Sequence, residues 1–98
     1  MKFQIKRVST DDSNEVAEVI YRSLNDWYRI HRGIESFAPS RESMLIFPRV
    51  YESLDPGCCV AAVDPENGRI AAISFFHPRP THISLGIMNA HPDYWGKG

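Results

Sequence analysis

Long apolar runs are missing from this 98-residue chain. Nothing in it approaches the roughly 18 consecutive apolar residues of a membrane span. The start, Met1-Lys2-Phe3-Gln4-Ile5-Lys6-Arg7, is too polar for a secretory leader. A cytoplasmic location is therefore the default expectation. An excess of one charge is missing as well: 11 Lys and Arg stand against 12 Asp and Glu, for a net charge of -1. No basic stretch exists to attract nucleic acid or an anionic membrane, and neither is expected as a partner. Cysteine is scarce. Cys58 and Cys59 are adjacent, and neighbours on a strand point to opposite faces, so a bridge between them would be strained and two reduced strand residues are expected. A zinc site drawing on these cysteines and the four histidines is the sharper alternative. No C-x-x-C or H-x-x-x-H spacing supports it, and no metal is expected. Repeats, low-complexity tracts and linkers are also lacking, which leaves one structural unit.

What is present reads as short elements in a clear order. Phe3, Ile5 and Val8 alternate roughly within Lys2 to Val8 and suggest a first strand. Ser9 to Glu15 is rich in N-cap residues and in acids that suit a helix's first turn. A helix then carries Val16, Ile20, Leu24 and Trp27 on one stripe, and Gly33 stops it. Gly33 to Pro39 reads as a connection. Ser40 caps a second helix with Met44, Leu45, Phe47, Val50, Tyr51 and Leu54 at helical spacing, and Pro48 predicts a kink or break near Phe47. Asp55-Pro56-Gly57 ends it. The apolar runs Cys58 to Val63 and Arg69 to His77 flank Asn67-Gly68, a hairpin signal. Pro78-Arg79-Pro80 leads into a third strand of the meander, Thr81 to Ala90, with Ile83, Leu85 and Ile87 on one face and His82, Ser84, Gly86 and Met88 on the other.

The last stretch, Ile87-Met88-Asn89-Ala90-His91-Pro92-Asp93-Tyr94-Trp95-Gly96-Lys97-Gly98, carries the functional signal. It is not a Walker A loop, because no Ser or Thr follows the lysine and no earlier glycine has the required spacing. It is not a dinucleotide fingerprint. It resembles the start of the acetyl-coenzyme-A signature of the GCN5-related N-acetyltransferases, the GNAT superfamily. In that family a strand runs through a turn containing Pro and Tyr into Gln/Arg-x-x-Gly-x-Gly/Ala. Trp95 stands at the Gln/Arg position, Gly98 at the first motif glycine, and the last Gly/Ala is missing.

The resemblance implies an α+β fold, the N-terminal half of a GNAT-like domain, in the order strand, helix, helix, strand, strand, strand with an antiparallel meander. Residues 1-98 would form a single partial domain, truncated within the pyrophosphate-binding motif. The activity implied is acetyl transfer from acetyl-CoA, a cosubstrate, to an amine on a small molecule or peptide, the 98-residue chain itself being incomplete and inactive. The backbone of Met88, Asn89 and Ala90 would hold the pantetheine arm and the thioester carbonyl, and Gly96, Lys97 and Gly98 would begin the pyrophosphate cradle. His82, at the parity of Ser84, is the candidate general base; a strand-edge histidine with a structural hydrogen bond is the plainer reading. By the same resemblance Gly33 to Pro39, with Glu35 and Phe37, would border the acceptor; an ordinary solvated loop is the alternative. Lacking a neighbour, the last strand would leave an open edge suited to a homodimer. A noncatalytic interaction domain pairing through that edge is the competing function.

Overall fold

The computed structural model describes residues 2–35 and 37–97. Its elements are β1 (Gln4–Arg7), α1 (Ser13–Arg32), α2 (Ile46–Leu54), β2 (Cys59–Val63), β3 (Ile70–Pro78) and β4 (Ile83–Ala90), with single 3-10 turns before α1, before α2 and after β4. The strands form one antiparallel sheet in the order β1-β2-β3-β4. This is the expected element order, an α+β arrangement, with β1 joining the meander through β2.

Local chemistry explains the boundaries. The Asp12 carboxylate accepts the Ser9 N–H at 3.0 Å, fixing the turn that enters α1. Gly33 ends α1 in the left-handed region at φ 68, where a side chain would be strained. Ser40 Oγ accepts the Ser43 N–H at 3.1 Å, but the turn it opens is 3-10, Glu42–Leu45, and α2 begins only at Ile46. The break expected near Phe47 thus falls just before Ile46. Pro48 sits in the first turn of α2, where its missing N–H has no helical partner to lose. Between β2 and β3 the chain turns over Asp64 to Arg69, with Asp64 N–H donating to Arg69 O at 2.8 Å and Gly68 at φ 74.

The core lies between α1 and one face of the sheet. Val16, Val19 and Ile20 of α1 pack with Cys59, Ala61 and Val63 of β2 and Ile70, Ile73 and Phe75 of β3. Each fully buried aliphatic side chain here stabilises the fold by about 1.5–3 kcal/mol relative to exposure. Two long-range bonds set α1 against its surroundings. Glu15 Oε2 accepts the Ile70 N–H at 2.7 Å, and Asn25 Oδ1 accepts the Ala38 N–H at 2.7 Å, drawing the following loop onto the helix. Trp27, at the end of the predicted stripe, stays 41% exposed.

The last strand departs from simple alternation. Ser74 pairs with Met88 and Phe76 with Leu85, so Gly86 and Ile87 together oppose Phe75. That bulge reverses the faces along β4. Ile83 and Leu85 lie on the uncovered face at 65% and 68% exposure, whereas Ile87 packs against the core and Met88 turns outward. The single face expected for Ile83, Leu85 and Ile87 is therefore split. The strand also starts at Ile83 rather than Thr81, because Arg79 N–H and His82 O close the preceding turn at 2.8 Å.

Candidate functional site

A cavity of about 270 Å³ opens between α1 and the end of β4. Its walls are Ser23, Leu24 and Trp27 on one side, Met88, Asn89 and Ala90 on the other, and Trp95 beyond the strand. A larger groove of about 420 Å³ runs along α2, but its lining of Ile46, Phe47, Val50, Tyr51 and Leu54 offers only the Tyr51 hydroxyl as a polar side-chain group. The first cavity combines apolar walls with convergent polar groups, the usual make-up of a ligand site.

The polar group in question is Asn89. Its Nδ2 donates to Ser23 Oγ at 2.8 Å, and the Ser23 hydroxyl spends its one proton on Ile20 O at 3.1 Å. Ser23 can only accept from Asn89, which fixes the amide's orientation. Asn89 Oδ1 is left buried and without a hydrogen-bond partner among the described residues. Such an orphan acceptor is costly, and with almost no accessible surface it is closed to the cavity as well.

Main-chain groups divide by register. His91 N–H donates to Ala71 O at 2.7 Å, and Ile73 pairs with Asn89 two residues earlier. In an antiparallel ladder this puts the Asn89 N–H and C=O on β3, and turns those of Met88 and Ala90 to the free edge. Of the three β4 residues expected to present main chain, two do so, and Asn89 presents its side chain. The Ala90 carbonyl already accepts the Trp95 indole N–H at 2.8 Å. Trp95, occupying a position where the resembled motif has a polar residue, thus folds back over the end of β4.

Beyond β4 the chain is held firmly. His91 is 4% exposed, and its Nδ1 accepts the Asp93 N–H at 3.1 Å, capping the short turn Pro92–Tyr94. Burial pushes the His91 imidazole below its ordinary value of 6.5. Tyr94 donates its hydroxyl proton to buried Asp64 at 2.7 Å, and Arg69 pairs with Asp93 at 3.1 Å while lying over the Tyr94 ring. The bond from Tyr94, followed by the Glu66 N–H, holds the Asp64 carboxyl below the usual carboxylate value. These bonds tie the β2–β3 turn to the segment leading into Gly96, which adopts φ 78. Lys97 is exposed and its N–H donates to Tyr94 O at 3.1 Å. Gly98 lies outside the described residues.

The histidines are placed unequally. His82 is exposed in the turn before β4, with Thr81 Oγ1 3.2 Å from its Nδ1. His77 of β3 is more built in: Nδ1 lies 2.6 Å from Asp55 Oδ2, Tyr51 covers one side, and Nε2 lies over Gly86. Asp55, at the end of α2, is held below its ordinary value by Arg79 first and His77 second. Sequence spacing gave no hint of the Asp55–His77 pair, since the partners lie 22 positions apart and in different elements. In the loop after α1, Phe37 stacks on Tyr28 at 4.0 Å and Glu35 is exposed. Cys58 and Cys59 are free thiols, and burial pushes Cys59 up to about 11, which keeps it protonated and unreactive. Among the described residues no group of three or more His, Cys, Asp or Glu side chains could hold a metal ion, and no helix is long and apolar enough to cross a membrane.

No family model matches the chain, and no curated protein matches it. Solved structures do. A GCN5-related N-acetyltransferase from Sphaerobacter thermophilus is 28% identical with a TM-score of 0.64, over 98% of this chain and 28% of that one. A GNAT family acetyltransferase from Brucella melitensis, solved in complex with acetyl-CoA, is 15% identical with a TM-score of 0.66, over 98% and 59%. The PaiA N-acetyltransferase from Thermoplasma acidophilum, solved with coenzyme A, is 18% identical with a TM-score of 0.65, over 99% and 64%. The chain spans less than two thirds of the length of each. Four strands and two helices in this order and register thus give the chain part of the fold of the GCN5-related N-acetyltransferases.

Proposed function

We propose that the chain carries the coenzyme-binding edge of an N-acetyltransferase that moves acetyl from acetyl-CoA to an amine. The observation that supports this most is the end of β4. There the Met88 and Ala90 main-chain groups face an open edge beside an apolar cavity, and the strand runs directly into the Gly96 turn. A pantetheine arm, itself extended and amide-bearing, can add to such an edge as a further strand would. The Met88 N–H is the donor for the oxyanion that develops on the thioester carbonyl. Gly96 and Lys97 approach the pyrophosphate, where the lack of a Cβ on Gly96 allows close contact.

The step itself forms a C–N bond and breaks the C–S bond; the amine gives up a proton and coenzyme A leaves as its thiolate, which is then protonated. The proton needs an acceptor. His82 is the candidate from sequence, and His77 is a second one: with Nδ1 on Asp55, its Nε2 has no hydrogen-bond partner among the described residues. In the acetylation reaction, His77→Gln should flatten the rise of kcat/KM with pH, and His82→Gln should leave it intact. The reverse result returns the role to His82.

Strand pairing without catalysis draws on the same open edge, and the two readings separate in one experiment. Coenzyme A is added to isotope-labelled protein and amide shifts are followed by NMR, which reads weak binding. Shifts gathered at Met88, Ala90, Gly96 and Lys97 are expected. None at millimolar coenzyme A, or shifts confined to the α2 groove, would end the proposal.

A further inference from the structure

The segment after β4 ends in a turn whose dihedrals define its type. Trp95 stands at φ -60 and ψ 134, Gly96 at φ 78, and the Lys97 N–H donates to Tyr94 O at 3.1 Å. This is a type II β-turn, with glycine at the corner that requires a positive φ. Its amides are not equivalent. The Trp95 N–H is spent on Pro92 O and the Lys97 N–H on Tyr94 O, whereas the Gly96 N–H has no hydrogen-bond partner among the described residues. We propose, resting on the acetyl-transfer reading above, that Tyr94 and Asp64 are positioning residues for the coenzyme: their hydrogen bond holds this turn so that the Gly96 N–H meets the pyrophosphate.

Three observations support this. First, the Tyr94 hydroxyl is held from two sides by one short loop, donating to Asp64 Oδ2 at 2.7 Å and accepting from Asn67 Nδ2 at 3.4 Å. Tyr94 is also the first residue of the turn, so its side chain fixes what its carbonyl closes. Second, the anchor is built in. Asp64 is 3% exposed, its other carboxylate oxygen accepts the Glu66 N–H at 2.9 Å, and its own N–H donates to Arg69 O at 2.8 Å. A carboxylate only accepts, which makes Tyr94 the donor of a charge-assisted bond. On either side of the loop Val63 and Ile70 enter the core, so the loop takes its place from the packing against α1. Third, the neighbouring brace is weaker. Arg69 lies over the Tyr94 ring at 5.5 Å and pairs with Asp93 at 3.1 Å, but both charged side chains are exposed, where such pairs contribute little. A donor set in place before the ligand arrives spares the coenzyme the cost of ordering it.

Tyr94→Phe removes the hydroxyl and keeps the ring, with its contacts to Phe3 and His91. Coenzyme A, titrated into the isotope-labelled 98-residue chain and followed by NMR, should bind Tyr94→Phe and Asp64→Ala at least about fivefold more weakly than the unaltered chain. In both variants the shifts at Met88 and Ala90 should persist while those at Gly96 and Lys97 shrink. Without any ligand, the heteronuclear NOE of Gly96 and Lys97 should fall. Asp64→Asn can turn its Nδ2 to the Tyr94 hydroxyl and its Oδ1 to the Glu66 N–H, so its affinity should stay within about twofold of the unaltered chain.

An unchanged coenzyme affinity in Tyr94→Phe overturns the proposal. So does a loss of the Met88 and Ala90 shifts equal to that at the turn, which would mean a general loosening rather than a misplaced donor. An Asp64→Asn variant as weak as Asp64→Ala would assign the effect to the charge instead of the bond, and overturns it as well. In each of these cases the response of the unaltered chain still supports the acetyl-transfer reading. A flat response of the unaltered chain to coenzyme A ends that reading, and this proposal with it.

Discussion

The face of the sheet turned toward α1 holds Cys59, Ala61, Ile73 and Phe75 at 5% exposure or less, whereas the face turned away holds Ile5 at 71%, Leu85 at 68% and Met88 at 64%. The covered residues come from the central strands β2 and β3 and the exposed ones from the edge strands β1 and β4, yet both sets are apolar. One face is therefore specified by packing against a helix and the other is not, although a hydropathy pattern scores them alike. The cavity lies where the two faces meet, at the β4 edge, close enough to α1 for a rigid wall and far enough from the core to admit a ligand.

The largest expected effect comes from breaking the covered face. Ile20 is fully buried at the centre of that contact. Ile20→Ala should cost about 3 kcal/mol in chemical denaturation, the sum of lost burial and an unfilled space. A loss below about 1 kcal/mol would mean that α1 is not what covers the sheet.

Gly86 tests the joint between the faces. A Cβ there would come 3.0 Å from His77 Nε2, 3.2 Å from Phe75 Cβ and 3.3 Å from Phe75 O. Backbone oxygen cannot step aside as a side-chain tip can, so Gly86→Ala should destabilise by about 2 kcal/mol. It should also disturb the Asp55–His77 pair, visible as a shifted His77 ring resonance. An unperturbed ring and an unchanged melt would show that the bulge has more room than these distances allow.

Much of this architecture was legible in the sequence. The caps, Gly33, Asn67-Gly68 and the apolar runs are local signals, and the elements they predict are the ones that form. The bulge in β4 was not legible, because Ile83, Leu85 and Ile87 alternate in sequence whether or not a residue is inserted in space. Trp27 fits the α1 stripe by period, yet its ring contacts are with Tyr28, His31 and Arg32 of its own helix, so it stays on the surface. The motif after β4 directs attention to this edge by resemblance. It could not reveal that Asn89 reaches Ser23, a pairing across 66 residues that no local pattern encodes.

A smaller effect should appear with pH. The His91 imidazole is buried and lowered from 6.5, and its Nδ1 must be unprotonated to accept the Asp93 N–H. Asp93 and Glu18 oppose that lowering, while Arg22 and Arg69 add to it. The unfolded chain takes up the proton near 6.5 and the folded chain only below it. Stability is therefore full above that value and declines as the pH falls through it toward the lowered folded value. Denaturation at about pH 7.5 and about pH 5.5 should show the decline, and His91→Asn, which keeps an acceptor for Asp93 but does not titrate, should remove this part of it. Asp55, Asp64 and Asp93, all lowered from 3.8, contribute in a separate window: their stabilisation is present above that value and is lost below it.

The uncovered face should give the smallest effect. Leu85 is 68% exposed opposite Phe76, so Leu85→Ser removes little burial and should change stability by no more than about 0.5 kcal/mol. Its consequence should appear instead in association, because an apolar sheet face beside an unpaired edge favours contact between chains. Sedimentation of the 98-residue chain should show less self-association for Leu85→Ser than for the unaltered sequence. A destabilisation approaching that of Ile20→Ala would erase the contrast between the faces, since it would require Leu85 to be packed against something in solution.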